Sequence, residues 1–459
     1  MPKIPKKKLK PYWVTRDKRL VRLYYGDVIR VLRRFPSRSV HCVVTSPPYW
    51  GLRSYLEENH GDKGVEIGSE KTPDEFVAKM VAVFQEVRRV LRDDGTVWLN
   101  LGDSRGGKSG LESGLPGGNL VGMPWRVALA LQEDGWVLRQ DIIWAKPNPM
   151  PESIRNRCTK SHDYIFLLTK KGSGYFCDME AIKLKSGNWN SATSSFSKPR
   201  PKSNTMTAKQ RDMQRTQFAD NTHHPDIEHS TCNRRSVWTV EDKQFFVDWL
   251  NENFPEALRE FARQCKNKKD VWRVATESFS GAHFATFPKN LILPCVLAGT
   301  SEKGCCVRCG APWKRVTKVK KLKRKRLRDY VKRKPKMVVG RRSGIPGQLP
   351  QLAVRVGKMN TIANSVAGVD VKTVGWEPGC CCTIRKVIPC TVLDPFIGSG
   401  TTCCVALGSG RRSIGIDLSE EYLRENAVPR IISELLARPA LTYQTGVDVA
   451  IVEEGELIS

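Results

Sequence analysis

Two things are scarce in this 459-residue chain: long apolar runs and negative charge. No run approaches 18 apolar residues, which argues against a membrane-spanning helix and a membrane partner. The lysines of Met1–Lys10 are followed by no apolar core segment, so no secretory signal is expected and the protein should be cytoplasmic. Acids number 47 against 76 Lys and Arg, giving a net charge of +29 and a pI near 9.7. Such a surplus suits a partner bearing a line of phosphates, bound in a salt-sensitive way. A membrane surface or RNA would be attracted equally, so charge alone does not choose. Fifteen cysteines in a chain without a signal argue for reduced thiols or metal ligands rather than a disulfide frame.

What is present is enough for a full catalytic domain and at least one further module, with 40% hydrophobic residues for a large core. The spacing predicts a short strand at Val21–Asp27, a helix at Val28–Phe35 and a buried parallel strand at Val40–Thr45. An amphipathic helix follows over Thr72–Leu91, with Pro73 suited to its first turn. Asp93-Asp94-Gly95 reads as a turn into a strand at Thr96–Leu101. A helix at Leu120–Leu131 and strands at Trp136–Trp144 and Tyr164–Thr169 continue a doubly wound α/β pattern. Lys185–Thr231 is polar and loop-like, and Phe245–Cys265 is a charged helical stretch lying between two similar tetrads, Val237–Val240 and Val271–Val274. Apolar sequence returns over Gly281–Gly299, and a closing helix is expected at Glu420–Leu436.

Near the far end stands Asp394-Pro395-Phe396-Ile397-Gly398-Ser399-Gly400-Thr401-Thr402, preceded by the apolar Val392-Leu393. Proline stops the strand, the two glycines allow a sharp turn close to a ligand, and a small apolar helix begins. A strand, a glycine-rich turn and a helix make a nucleotide-type pocket at the carboxyl edge of a parallel sheet. Far upstream, Ser46-Pro47-Pro48-Tyr49 closes the Val40–Thr45 strand. The first string resembles the S-adenosyl-L-methionine motif of DNA amino-methyltransferases. The second resembles their catalytic (D/N/S)-P-P-(Y/F/W) tetrapeptide. Catalytic motif first and cofactor motif last is the permuted order of the β group of that family. The resemblance implies a Rossmann-like class I S-adenosylmethionine-dependent methyltransferase sheet, permuted, acting on double-stranded DNA.

The chemistry needs these residue types. The exocyclic amino group of a base is a poor nucleophile, because its lone pair is delocalised into the ring. Acceptors for both N–H protons, here the Ser46 hydroxyl and the Pro47 carbonyl, would free that lone pair. Pro48 stiffens the turn, and Tyr49 offers a face on which an extruded base stacks, worth about 1–3 kcal/mol. The cofactor would be held by Asp394, Pro395 and the backbone of Phe396, Gly398, Ser399, Gly400 and Thr401. Asp417, ending Ile414-Gly-Ile-Asp417, would accept both ribose hydroxyls. Gly26-Asp27 resembles the family's motif near the adenine amino group, and Phe287-Pro288, within His283–Pro288, its motif over the methionine end. Asp141–Asn148 and Ser161–Lys170 resemble further family segments, the latter equally readable as a buried strand. Cys42, inside a strand and outside any Pro-Cys context, reads as core rather than as the nucleophile of a cytosine-C5 enzyme.

Cys306-x-x-Cys309 and Cys380-x-Cys382 could supply four thiolates to a structural zinc, or could simply be reduced thiols among neighbouring cysteines. Lys314–Lys336 carries fourteen Lys and Arg against Asp329 alone, a density that favours phosphate contact. The organisation expected is a basic lead (1–16), a catalytic half (17–184), a target-recognition insert (185–280), a return to the core (281–300), a basic insert with a four-cysteine zinc site (301–390) and a cofactor half (391–459). Ser46 in the first motif position favours cytosine-N4 as the target, since Asp or Asn is more usual for adenine; adenine-N6 stays open because both kinds of side chain accept the same hydrogen bond. The family also implies a restriction–modification setting and a cognate endonuclease. An RNA or protein-glutamine methyltransferase, and a non-catalytic DNA-binding protein, are the alternatives from other classes.

Overall fold

A computed structural model describes residues 10–15, 20–51, 59–107, 114–149, 156–183, 271–277, 287–321 and 369–437, together with Leu56 and Glu152. In chain order the strands are β1 (Trp13–Val14), β2 (Val21–Tyr25), β3 (Val40–Thr45), β4 (Leu91–Leu101), β5 (Val137–Ala145), β6 (His162–Thr169), β7 (Val271–Arg273), β8 (Cys305–Cys306), β9 (Lys314–Lys321), β10 (Val369–Glu377), β11 (Val387–Ile388), β12 (Thr391–Asp394) and β13 (Arg412–Asp417). The helices are α1 (Val28–Leu32), α2 (Pro73–Val90), α3 (Met123–Glu133), α4 (Lys289–Gly299), α5 (Thr401–Gly408) and α6 (Val428–Leu436).

Among the described residues, nine strands form one sheet in the order β1-β2-β13-β12-β3-β4-β6-β5-β7. Strands β2, β13, β12, β3 and β4 run parallel, whereas β6 is antiparallel to both of its neighbours. The neighbour of β3 on one side is therefore β12, from the far end of the sequence, which pairs Val392 with Cys42 and Leu393 with Val43. This is the permuted class I methyltransferase sheet that the motif order implied. All six residues of β3 are buried, which is why its sequence shows no alternation. Helices α1, α2 and α3 pack into one core cluster; α4 shares a second with β3 and β7, and α5 and α6 share a third. Connections from β12 and β3 thus leave towards different layers, and a crevice opens between them at their carboxyl ends.

Local sequence explains the elements. Helix α2 starts at a capping box in which the Thr72 hydroxyl accepts the Glu75 N–H at 3.2 Å and Glu75 accepts the Thr72 N–H at 3.2 Å. Its buried positions, including Phe76, Met80, Phe84 and Val87, recur at helical spacing against the sheet. No helix among the described residues is long and apolar enough to cross a membrane.

The structure departs from sequence expectation in three places. Asp93-Asp94-Gly95 is not a turn before a strand: β4 already begins at Leu91, and its register with β3 jumps between Val40↔Leu91 and Cys42↔Thr96. The acids bulge from the ladder because Lys170 holds Asp93 at 3.2 Å and Arg92 holds Asp94 at 2.8 Å. The closing helix runs without interruption from Glu420 to Leu436 as expected, with a wider π turn at Leu423–Ala427 inside it and α6 as its last part. Helices α1 and α3 are shifted or shortened at their ends, as helix boundaries often are. Most informative is β7: the residues expected to close a helical insert add a parallel edge strand beside β5, and Trp272 is buried against Trp98. The core sheet therefore resumes before residue 280. The rest of that insert, residues 184–270, lies outside the described residues. So do residues 283–286, residues 322–336 of the basic tract, the 340–364 linker and most of the 1–16 lead.

Candidate active site

A cavity of about 520 Å³ opens at the carboxyl ends of β2, β13, β12 and β3. One wall is the loop after β12, contributing Pro395, Phe396, Ile397, Gly398, Ser399 and Thr401; the other is the whole Ser46-Pro47-Pro48-Tyr49 turn. Asp27, Phe287 and Asp417 also line it. Two motifs from opposite ends of the chain thus face one space, as the resemblance required. The loop after β12 turns through left-handed backbone at Gly398 (φ 49°) and Gly400 (φ 80°). At Gly400 a side chain would also press on Ala427, with Cβ 3.2 Å from its Cα.

Three expected cofactor residues stand behind this wall rather than on it. Pro288 caps α4 beside Phe287, and Gly400 caps α5. Asp394 is 1% exposed, with Oδ1 accepting from the Thr45 hydroxyl at 2.6 Å and the Phe396 N–H at 3.0 Å, and Oδ2 accepting from the Thr402 hydroxyl at 2.6 Å. Its carboxylate is consumed in shaping the loop, so it acts on a ligand only through Phe396 and its neighbours. Burial pushes its carboxyl up to about 6, against the pull of those three donors.

Asp417 does reach the cavity. Its Oδ2 accepts the Gly398 N–H at 2.9 Å and its Oδ1 the Ser419 N–H at 2.9 Å, which leaves lone pairs on both oxygens for a diol. Burial raises its carboxyl to about 6 as well. Asp27 uses Oδ1 to cap α1 through the Arg30 N–H at 2.9 Å while lining the same pocket. With Phe287, Phe396, Ile416 and Leu418 as apolar faces, the pocket suits a nucleoside joined to a polar tail.

On the other wall, Asn100 Nδ2 on β4 donates to Ser46 Oγ at 3.1 Å and to Tyr49 Oη at 2.9 Å. Tyr49 Oη lies 3.5 Å from Asp163 Oδ2, which Lys146 Nζ holds at 2.5 Å. A Cβ on Gly102 would sit 2.4 Å from the Tyr49 ring, so only glycine leaves the ring its place. Sequence reasoning missed Asn100, Gly102, Thr45 and Thr402, whose partners are far away in the chain. It came closer with Asp141–Asn148 and Ser161–Lys170, which supply Lys146 and Asp163. Arg430 was also missed; it donates to Ser399 Oγ at 2.9 Å and Thr401 Oγ1 at 2.7 Å, bracing the cofactor-side loop from α6.

Cys42 is fully buried, and burial pushes its thiol up to about 12, so it is no nucleophile at neutral pH. The four candidate metal ligands, Cys306, Cys309, Cys380 and Cys382, lie together but away from this cavity, beside the start of β4, where Arg92 donates to the Cys309 carbonyl at 2.8 Å.

The model of the DNA methylase family, N6/N4 type, matches residues 40–307 and 390–428. The chain belongs to that family. It is 35% identical over 300 residues to the Type II methyltransferase M.Cfr9I of Citrobacter freundii, covering 61% of this chain and 72% of that one. The Type II methyltransferase M.SmaI of Serratia marcescens is 34% identical over 305 residues, covering 62% and 77%. Among solved structures, PvuII DNA methyltransferase (cytosine-N4-specific) aligns over 96% of both chains at 14% identity with a TM-score of 0.45. The protein is an S-adenosylmethionine-dependent DNA methyltransferase of the N4/N6 family.

Two predictions follow the geometry of the two walls. Gly102→Ala displaces the Tyr49 ring and should lower kcat by about 10²-fold, the scale of a 1 Å misplacement, while the dissociation constant for S-adenosylmethionine stays near that of the unmutated enzyme. Steady-state kinetics beside calorimetric binding separates the two. Diol donors at Asp417 favour its ionised form, so cofactor affinity should rise with pH through about 6 and weaken below it. Titration calorimetry from about pH 5 to about pH 8 checks this. Asp417→Asn should bind more weakly at neutral pH and flatten the profile; because it retains Asp394, the difference isolates Asp417.

Proposed function

We propose that this enzyme methylates the exocyclic N4 of cytosine in double-stranded DNA, within a Type II restriction–modification setting. The observation that carries the reading is the Ser46 hydroxyl, fixed by Asn100 at the cavity wall with the Tyr49 ring beside it. An amino-methylating site needs acceptors for both protons of the target nitrogen and a flat surface for an extruded base. Ser46 Oγ and the Pro47 carbonyl serve as the acceptors, and Tyr49 as the stacking surface. When bound, S-adenosylmethionine supplies an electrophilic methyl group on its sulfonium. Asp417 and Asp27 hold the nucleoside part of that donor, and the loop from Pro395 to Thr401 holds the remainder, with Phe287 closing over it.

In the reaction the target nitrogen, its lone pair freed by the two acceptors, forms a bond to the methyl carbon as the carbon–sulfur bond breaks. One N–H proton then leaves to solvent. No covalent bond to the protein forms, consistent with the inert Cys42. A serine opening the Pro-Pro-Tyr motif supports cytosine-N4, since Asp or Asn is more usual for adenine. Target recognition falls to the inserted region between β6 and β7. The Type II relatives support a cognate endonuclease as the functional partner.

Nucleoside mass spectrometry of DNA from cells expressing the enzyme, beside a Ser46→Ala control, decides the base. A 4-methylcytosine peak that disappears in Ser46→Ala is expected. A 6-methyladenine peak would keep the mechanism and overturn the assignment of the base; neither peak from folded, cofactor-bound enzyme would overturn the site.

A further inference from the structure

The family match passes over residues 308–389, between β8 and β12, so that segment is an addition to the family core. Three of the four clustered cysteines lie in it. Both of its ends are tied into local structure. Strand β8 pairs with β11, Cys306↔Val387 and Cys305↔Ile388. The chain then folds into a tight turn in which the Gly310 N–H returns to the Cys306 carbonyl at 2.8 Å and the Cys306 N–H reaches the Ala311 carbonyl at 2.9 Å. Strands β9 and β10 form an antiparallel ribbon from Lys314↔Glu377 to Lys321↔Val369. Just beyond the ribbon, Gly379 packs so closely that a Cβ there would lie 2.1 Å from the Pro312 carbonyl oxygen. That close approach sets Cys380 and Cys382 against the turn. The Sγ atoms of Cys306, Cys309, Cys380 and Cys382 all lie within 4.8 Å of one another, and none is disulfide-bonded.

We propose that these four thiolates form a structural zinc site whose role is to hold the β9–β10 ribbon against the methyltransferase sheet. A tetrahedron with Zn–S bonds of about 2.3 Å separates its sulfurs by about 3.8 Å, within the spread of this cluster. Two pairs brought from opposite ends of a long insertion are what a metal closing that insertion requires. Four sulfurs leave no open position, so the site does no chemistry on substrate. The ribbon has few other anchors among the described residues. Arg315 pairs with Asp178 at 2.9 Å and with Glu302 at 2.7 Å, and stacks on Trp376 with its guanidinium 4.5 Å from the ring. Further out, Lys318 sits directly opposite Lys372, a pairing that destabilises a free ribbon.

The same root is fastened to the catalytic strands. The Gly310 carbonyl, inside the turn, accepts from His41 Nε2 on β3 at 2.8 Å, and Arg92 of β4 holds the Cys309 carbonyl. The Thr391 N–H, opening β12, donates to His41 Nδ1 at 3.0 Å. An amide can only donate and a carbonyl only accept, so the proton sits on Nε2. His41 clusters with Cys305 and Cys390, but with both ring nitrogens engaged it is a strut between the turn and β12 rather than a second metal ligand.

Metal analysis of the purified full-length enzyme, with thiol mass measured in parallel, is the test. About one zinc per chain is expected; no metal, iron in place of zinc, or disulfides among the four would overturn the proposal. Cys309→Ser/Cys382→Ser should lose the zinc, whereas Cys381→Ser, whose thiol lies between two ligands but outside the cluster, should keep it. The reverse pattern overturns the ligand assignment. Hydrogen exchange gives a reading free of folding effects in the variants. Chelation of zinc from unmutated enzyme should deprotect β9 and β10 while β3 and β12 stay protected. Unchanged protection of the ribbon would overturn its role. These readouts do not depend on which base is methylated.

Discussion

The site depends on one buried carboxylate. Asp394 ends β12, and its two oxygens bind Thr45 at the end of β3, Thr402 in the first turn of α5 and the backbone of Phe396 in the loop between. Thr45 is the residue immediately before Ser46. The strand that leads into the Ser46 turn and the loop that lines the other wall of the cavity are therefore joined through one side chain, across 349 residues of sequence. Burial raises the Asp394 carboxyl to about 6, so above that pH the protein holds a charge that burial disfavours. Its three donors offset only part of that cost. Stability contributed here declines as pH rises from the ordinary carboxylate range through about 6, because the folded state binds the proton more tightly than the unfolded chain. A group kept at that expense beside the active site is one whose geometry matters.

Around this node the two walls are each braced from behind. Asn100 and Gly102, both at the end of β4 or just beyond it, determine where Ser46 and Tyr49 point. Arg430, reaching back from α6, holds Ser399 and Thr401. Neither brace is part of the short strings that identify the site. Both act by removing freedom from groups that must meet a base and a methyl donor at once.

Much of this was legible in the sequence, for identifiable reasons. Val40–Thr45 announced a doubly buried strand by its β-branched run, and the Ser-Pro-Pro-Tyr and Asp-Pro-Phe-Ile-Gly-Ser-Gly strings sit where open α/β sheets place their ligands. The order of the two motifs implied the permuted strand arrangement. What stayed hidden was pairwise and distant. Nothing in Asp394 itself says that its partners are Thr45 and Thr402 rather than a cofactor. Nothing in Val271-Trp272-Arg273 separates an edge strand from the end of a helical insert until β5 is seen alongside. Asp93-Asp94-Gly95 carries turn residues, and only the lysine and arginine that pair with the acids make it a bulge inside β4.

The central claim is that the Ser46 turn and the β12 loop act on one pair of ligands in one cavity. The most direct measurement is a ternary structure with S-adenosylhomocysteine and duplex DNA bearing the target site. The account predicts an extruded cytosine stacked on Tyr49, its N4 within hydrogen-bonding distance of Ser46 Oγ and the Pro47 carbonyl, and the cofactor sulfur on the opposite side of that nitrogen. An extruded base seated away from Ser46, or a cofactor whose ribose does not meet Asp417, would contradict it.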